Sequence, residues 1–488
     1  MEAGTLISSS PATGRLVGRF DVATADDVHE AVVRAREASA WWAGLGFEGR
    51  RVRLRGWRSD MARRVEEVAG LVHAEGGKPR AEAIVEVAAA IDNLDWAAGN
   101  ARRVLGPRRV RSRLPLIEHE AHLEYQPFGV VGVIGPWNYP VLTPVGSLAY
   151  ALAAGNAAVF KPSEYTPAVG QWLVDSFRRA VSEQPVLQVL HGGGEVGAAL
   201  CRAGVDKIAF TGSTATAKRV MATCAETLCP VLIEAGGKDA LLVDEDADLE
   251  AAAEACCWGA MTNAGQTCLG IERAYVVDSR YDDFLAALLA RARRLRVGDG
   301  DDADLGPITM PRQLEVIRRH LEDAEARGGR AVLGGLDAVR PPYVWPSILV
   351  DVPDDAAAMT EETFGPTLAV TRVRDLDEAV RRANAVGYGL GGAVFGRARA
   401  MEAASALHTG MTSVNAALAF AGMGSLPFGG VADSGFGRTH GDDGLREFSR
   451  AKAITRRRAP SLLPAMTFDR RPWQVDLLAR LVRVRYGR

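Results

Sequence analysis

Hydrophobic positions in this chain repeat with two different periods, and the expected architecture changes where the period does. From Asp26 onward Val28, Ala31, Val32 and Ala35 recur at i, i+3, i+4 and i+7, with acidic residues in the first turn. That spacing lines one face of a helix, and the acidic start complements the helix dipole. Similar patterns run through Arg51 to Val72 and Ala81 to Ala98, so the first hundred residues are expected to be mostly helical. Beyond them short apolar runs alternate with helix-length segments: Val130 to Ile134, Ala157 to Phe160, Val186 to Leu190, Lys207 to Phe210 and Val231 to Ile233. This alternation predicts βαβ units and a parallel sheet covered by helices on both faces. A second series begins at Asp239 to Val243 and continues through Ala274 to Val277, Leu368 to Val373, Gly392 to Phe395 and Ser413 to Asn415, which puts a domain boundary at about Gly237.

Two stretches fall outside these series. Arg109 to Gln126 alternates charged and apolar residues and reads as extended. The tail from Ala459 to Arg488 carries Trp473, Leu477, Leu478, Leu481 and Val484 at helical spacing, with Arg470, Arg471, Arg480, Arg483, Arg485 and Arg488 around them. Such a basic amphipathic helix can lie on an anionic membrane or dock its stripe on protein. The shortness of the stripe favours docking, on the parent fold or on a neighbouring subunit.

Composition narrows the function classes. With 488 residues, 48% hydrophobic and 24% charged, the chain suits a globular protein of more than one domain. A net charge of −2 gives no global electrostatic case for nucleic acid, so a small-molecule partner is expected. The start, Met1-Glu2-Ala3-Gly4, lacks the features of a signal peptide, and no apolar run is long enough to cross a bilayer, which predicts a cytoplasmic protein without integral membrane association. Six cysteines show no metal-type spacing, so reduced thiols and no metal site are expected. Cys256 and Cys257 fall on an apolar stripe with Leu249, Ala252 and Ala253 and read as small hydrophobes of a helix.

Candidate chemistry lies in the middle of the chain. Asn263-Ala264-Gly265-Gln266-Thr267-Cys268 offers a thiol in a small-residue turn, and Glu234-Ala235-Gly236-Gly237-Lys238, upstream, offers a carboxylate. A cysteine whose covalent intermediate must later be hydrolysed needs a second group to activate water, because the thiolate is already consumed. The pairing therefore points to an enzyme with an acyl-thioester intermediate.

Five further runs accompany these two: Pro136-Trp137-Asn138-Tyr139-Pro140, Phe160-Lys161-Pro162-Ser163-Glu164, Phe210-Thr211-Gly212-Ser213-Thr214, Glu362-Thr363-Phe364-Gly365-Pro366 and Pro427-Phe428-Gly429-Gly430. Together they resemble the NAD(P)-dependent aldehyde dehydrogenase superfamily over nearly the whole chain, with some likeness to bacterial succinate-semialdehyde dehydrogenases that carry a C-terminal extension. The resemblance implies an α/β fold with a Rossmann-type cofactor domain (residues 1–108 and 128–236), an α/β catalytic domain (237–445), a small oligomerisation hairpin (109–127 with 446–458) and an extension (459–488). It implies Cys268 as nucleophile, the Asn138 amide and the Cys268 backbone N–H as oxyanion donors, and Glu234 as base. It also implies a homodimer or homotetramer. An Asx cap on the following helix is the competing reading of Asn138. For the dinucleotide it implies Trp137, Lys161, Ser163, Glu164, Gly212, Ser213, Glu362 and Phe364, with Glu164 disfavouring a 2′-phosphate and so NAD preferred, NADP remaining open.

Gly192-Gly193-Gly194-Glu195-Val196-Gly197 fits a Rossmann phosphate pattern, yet no acidic residue follows at the required distance. It is expected at most to border the adenine. Ala217 and Ala235 depart from the family's usual glycine and leucine. Carboxylate-binding relatives often carry arginine where this chain has Thr262 and Gly146, so an apolar mouth of Leu269, Leu142, Phe420 and Trp137 and an uncharged aliphatic or aromatic aldehyde are expected. The alternatives are succinate semialdehyde as substrate, acylation of coenzyme A, which Glu234 disfavours, and a catalytically silent dinucleotide-binding homologue.

Overall fold

The computed structural model describes residues 4–112, 116, 118–461, 463–464 and 466–487. Residues 113–115 and 117 of the expected hairpin, and Arg488 of the tail, lie outside the described residues. The chain opens with β1 (Thr5–Ser9) and β2 (Leu16–Asp21), an antiparallel pair. Nothing in the sequence pattern announces this pair, because most of its residues are exposed or half-buried and carry no apolar run. Burial of Glu75 ties it down: the carboxylate accepts from Ser8 Oγ and from the Ala168 and Val169 N–H groups at 2.9 and 2.8 Å.

The predicted helical region follows as α1 (Ala25–Gly44), α2 (Gly46–Arg63), α3 (Val65–Gly76) and α4 (Arg80–Leu105). Val28, Ala31, Val32 and Ala35 all face the core. The periodic stretch Arg51 to Val72 is two helices, because Arg64 leaves helical geometry and turns the corner between them.

After β3 (Arg108–Val110) and β4 (His119–Pro127) the predicted parallel strands appear as β5 (Val130–Ile134), β6 (Ala157–Lys161), β7 (Leu187–Val189), β8 (Lys207–Thr211) and β9 (Val231–Glu234). Between them lie α5 (Leu142–Ala154), α6 (Pro167–Ala180), α7 (Gly194–Arg202) and α8 (Thr214–Ala225). Spatially the sheet runs β7-β6-β5-β8-β9, with Gly435–Phe436 added antiparallel at the β9 edge. The chain thus winds outward from β5 to β7, then crosses back to β8 on the other side of β5. In such a sheet the reversal opens a crevice beyond the carboxyl ends of the two central strands, and ligands bind there.

A second sheet contains β10 (Asp239–Val243) and β11 (Ile271–Val277), with α9 (Leu249–Met261) between them. It continues through Thr367–Val373 and Ser347–Val350 on one side and Gly392–Phe395 and Ser413–Val414 on the other, all parallel, with Arg330–Leu333 antiparallel at its edge. Cys256 and Cys257 are buried in α9, as the stripe predicts. In a third, antiparallel sheet Ser449–Arg457 pairs with β4 and β4 with β3. Leu445 and Phe448, late in sequence, pack in the core of the first sheet.

The tail forms the helix its periodicity predicts, Pro472–Tyr486, but does not dock on the parent fold. Trp473, Leu477, Leu481 and Val484 are 54%, 41%, 40% and 75% exposed. Docking on this chain's own body is therefore corrected.

Candidate active site

Asn138 lies in the loop between β5 and α5, just beyond the crevice. Its competing role as a helix cap is absent: α5 begins without a side-chain cap. Instead Asn138 Nδ2 donates to the Gln266 carbonyl at 3.0 Å, which leaves its second N–H free to point elsewhere. The orphan N–H groups at the start of α5 are met from outside, since Glu86 of α4 accepts from Val141 and Leu142 at 2.8 and 3.1 Å. Glu86 is paired with buried Lys78, whose ammonium sits 3.6 Å from the centroid of the Tyr139 ring.

Cys268 follows a turn of unusual backbone. Asn263 and Ala264 both take left-handed conformations, with φ of 52° and 53°. Such residues persist only where their surroundings hold them, at a cost of about 1–3 kcal/mol each. The restraints are visible. Glu82 of α4 accepts from Thr262 Oγ1 at 3.0 Å and from the Asn263 N–H at 2.8 Å. Gln266 donates to the Asn263 carbonyl at 2.9 Å and accepts from the Thr309 N–H at 2.8 Å, and Tyr139 Oη contacts Thr267 Oγ1 at 3.0 Å. At Gly265 any Cβ would strike the backbone of Gly365 and Pro366, which explains the glycine.

Glu234 ends β9, and its carboxyl reaches both the Cys268 thiol and the Thr211 hydroxyl while one oxygen stays buried and unpaired. Burial, partly offset by those two hydrogen bonds, pushes its pKa up to about 7. Burial and then the nearby Glu234 carboxylate raise the Cys268 thiol well above its ordinary value. Backbone is close on all sides: a Cβ on Gly237 would come within 2.6 Å of the Cys268 carbonyl oxygen, and one on Gly236 would strike the Glu362 carboxylate. Glu362 accepts from the Gly237 N–H at 3.1 Å, and burial raises its pKa strongly.

All eleven residues singled out from the sequence line one cleft of about 590 Å³ at the crevice: Cys268, Glu234, Asn138, Trp137, Lys161, Ser163, Glu164, Gly212, Ser213, Glu362 and Phe364. Trp137 packs edge-on against Phe364 with centroids 5.4 Å apart. Ser213 Oγ caps the start of α8 at the cleft. Lys161 is buried and 3.6 Å from the more exposed Glu164. Gly193, Gly194 and Gly197 border the same cleft, and a Cβ on Gly197 would sit 3.7 Å from the Lys161 chain, so the glycine-rich turn lies beside Lys161.

A cysteine, a carboxylate and an amide lining one cleft at the crevice agree with what the chain resembles in known proteins. The profile of the aldehyde dehydrogenase family matches residues 2–454. The chain belongs to the aldehyde dehydrogenase family. It is 37% identical over 452 residues to 4,4′-diapolycopene aldehyde oxidase of a Methylomonas species, covering 91% of this chain and 84% of that protein. Against a putative NADP(+) succinate-semialdehyde dehydrogenase of Mycobacterium ulcerans the identity is 34%, over 96% of this chain and 91% of that one. The crystal structure of Escherichia coli lactaldehyde dehydrogenase superposes with a TM-score of 0.89 at 31% identity, over 93% of this chain and 96% of that one. The α/β fold read from the sequence is that of these structures, and the protein is an aldehyde-oxidising oxidoreductase. Aldehyde dehydrogenases use NAD or NADP, and solved relatives include an NAD-dependent enzyme of Sinorhizobium meliloti and an NADP-dependent enzyme of E. coli.

The sequence reading missed the supports of this aldehyde dehydrogenase site, namely Lys78 just before α4, Glu82 and Glu86 on α4, and the side chain of Gln266. One signal was present: two glutamates four residues apart in an otherwise apolar stretch of α4, where solvated charges have no place. The expected apolar mouth is divided. Leu269 and Phe420 pack with Cys268 in one apolar cluster, whereas Leu142 packs on the first core and Trp137 against Phe364 and Tyr165.

Proposed function

We propose that this aldehyde dehydrogenase converts an uncharged aldehyde to its carboxylic acid through a covalent intermediate on Cys268, with NAD as the preferred oxidant. The observation that carries the reading is that the buried Glu234 carboxyl and the half-buried Cys268 thiol line the same cleft close enough for each to shift the other's proton affinity. The Cys268 thiol is protonated at rest, and Glu234, poised near pH 7, takes that proton as sulfur attacks the carbonyl carbon. The resulting oxyanion is met by the free N–H of Asn138 and the backbone N–H of Cys268. A bound dinucleotide supplies the hydride acceptor. Glu234 gives up the thiol's proton to solvent through the open cleft and, ionised again, deprotonates the water that releases the acid from the Cys268 thioester.

The cleft fits a dinucleotide: α8 offers a capped N-terminus, Glu362 is held beside glycine backbone, and nothing lies within 4 Å of where a Cβ on Gly194 would stand. Preference for NAD is supported by two carboxylates, Glu164 and Glu195, whose charges both act on buried Lys161. An uncharged substrate is supported on the other side of Cys268. Thr262 is held by Glu82, and the space over Gly146 is taken by His440, whose Nε2 lies 2.9 Å from a Cβ built there. Burial pushes the His440 pKa down to about 4, so it presents a neutral ring rather than a clamp for a carboxylate. The relatives' names point both ways, to diapolycopene aldehyde and to succinate semialdehyde. Assembly as a homodimer or homotetramer, a cytoplasmic location and division at about Gly237 remain part of the proposal.

The test replaces Cys268 with alanine. NADH formation with a panel of semialdehyde acids, alkanals and benzaldehydes is expected to vanish, while NAD still binds with nearly unchanged affinity by calorimetry. Turnover retained in that variant, or a wild-type preference for semialdehyde acids across the panel, would overturn the respective half of the reading.

A further inference from the structure

We propose that the C-terminal helix Pro472–Tyr486 is a peripheral anchor that lies along an anionic lipid surface. Its exposed apolar side chains cannot be accounted for by the body of this chain. Met466, Phe468, Trp473, Val475, Leu477, Leu481, Val482, Val484 and Tyr486 are all exposed, Phe468 almost completely. At about 100° per residue, Trp473, Leu477, Leu481 and Val484 occupy one sector of the helix and Val475, Leu478, Val482 and Tyr486 another. Asp476, Arg480 and Arg483 form the narrow polar seam. Gln474 is used in capping, where it accepts from the Arg471 N–H at 2.6 Å, and Arg485, in the last turn, can snorkel from between the apolar sectors.

A helix that docks on protein needs an apolar stripe a little over 100° wide, whereas one apolar around most of its circumference is immersed in apolar surroundings. The circumference here is of the second kind. The helix has only 15 residues, and no helix among the described residues is long and apolar enough to cross a membrane. Immersion therefore means lying in the interface rather than spanning it.

Charge selects the kind of surface. From Arg456 to Arg488 the sequence holds nine arginines, two aspartates and no lysine, although the chain as a whole is at −2. The rest of the protein is accordingly acidic, so an anionic bilayer attracts the tail and repels the body, which orients the molecule tail-down. Guanidinium groups suit phosphate because they bind it through paired N–H groups. A second copy of the chain is the competing occupant, but it would have to surround the helix to cover both apolar sectors.

The experiment is cosedimentation of the full-length protein with vesicles of phosphatidylcholine containing phosphatidylglycerol, against pure phosphatidylcholine, with light-scattering mass in parallel. The wild type is expected to pellet several-fold more with the anionic vesicles, and less as salt rises. The double changes Leu477→Asp with Leu481→Asp, and Arg480→Glu with Arg483→Glu, are each expected to remove most of the bound fraction with dehydrogenase rate and assembly mass unchanged. Absence of pelleting, equal pelleting with neutral vesicles, or a fall in assembly mass in the aspartate variant, which would put a second copy on this face, each overturns the proposal.

Discussion

Buried Glu234 and half-buried Cys268 form an acid pair in which desolvation raises both proton affinities, and the carboxyl comes out near pH 7. Only its ionised form can take a proton from the thiol or from water, so turnover is expected to fall as pH drops below about 7 and to level off above it, read from a pH profile of kcat. Replacing Glu234 by Gln removes the base for both thiol and water, so both the first-turnover appearance of NADH and the steady rate are expected to slow. A burst of about one equivalent of NADH per site at the wild-type speed would confine Glu234 to the water step. Glu164 is a second residue with its own test. It is partly exposed beside buried Lys161, and Glu164→Ser removes one of two carboxylates from that end of the cleft. A shift of about fivefold or more toward NADP in the kcat/KM ratio is expected, equivalent to about 1 kcal/mol for charges at 4 Å in water-like surroundings. An unchanged ratio would assign discrimination to Glu195 or elsewhere. The reacting residue types were legible in the sequence because a thiol and a carboxylate in glycine-rich runs have few other uses. Their raised proton affinities were not, since burial is a property of the fold.

At the scale of elements, α4 connects two loops that are far apart in sequence. Glu82 holds the turn before Cys268, and one helical turn later Glu86 holds the start of α5 after Asn138. Glu86 is fully buried against Lys78. Truncating it leaves a buried ammonium unpaired and two N–H groups unmet, so Glu86→Ala is expected to cost about 3–5 kcal/mol in urea unfolding. Glu86→Gln, which keeps an acceptor, is expected to cost less. A loss under about 1 kcal/mol for the alanine variant would show that water replaces the carboxylate. The parallel strands β5 to β11 were readable because fully buried strands are apolar throughout. The pair β1–β2 was not, because a half-exposed strand held by Glu75 from another element carries no such mark.

At the scale of the whole molecule the third sheet and the tail set how copies and surfaces meet. Ser449–Arg457 is an edge strand exposed from Arg450 onward, and an exposed edge is a place for another chain to pair. The full-length protein is expected to run as a dimer or tetramer by light scattering. Deletion of residues 459–488 is expected to leave that mass and the rate with water-soluble aldehydes unchanged, since neither the sheet nor the cleft includes the tail helix. A drop to monomer would instead give the tail an assembly role.

By itself the sequence determined the alternation of strands and helices, the amphipathic tail helix, and the candidate residues that the fold gathers in one cleft, because each follows from side-chain type and local spacing. Only the tertiary structure decided what each of those residues faces. It brought Glu234 near Cys268, freed Asn138 from capping, put Glu82 and Glu86 beneath both loops, packed Trp137 against Phe364 and left the tail helix uncovered. Periodicity states which face of an element is apolar; what covers that face, and how far water is excluded from a charge beside it, depends on chain segments hundreds of residues away.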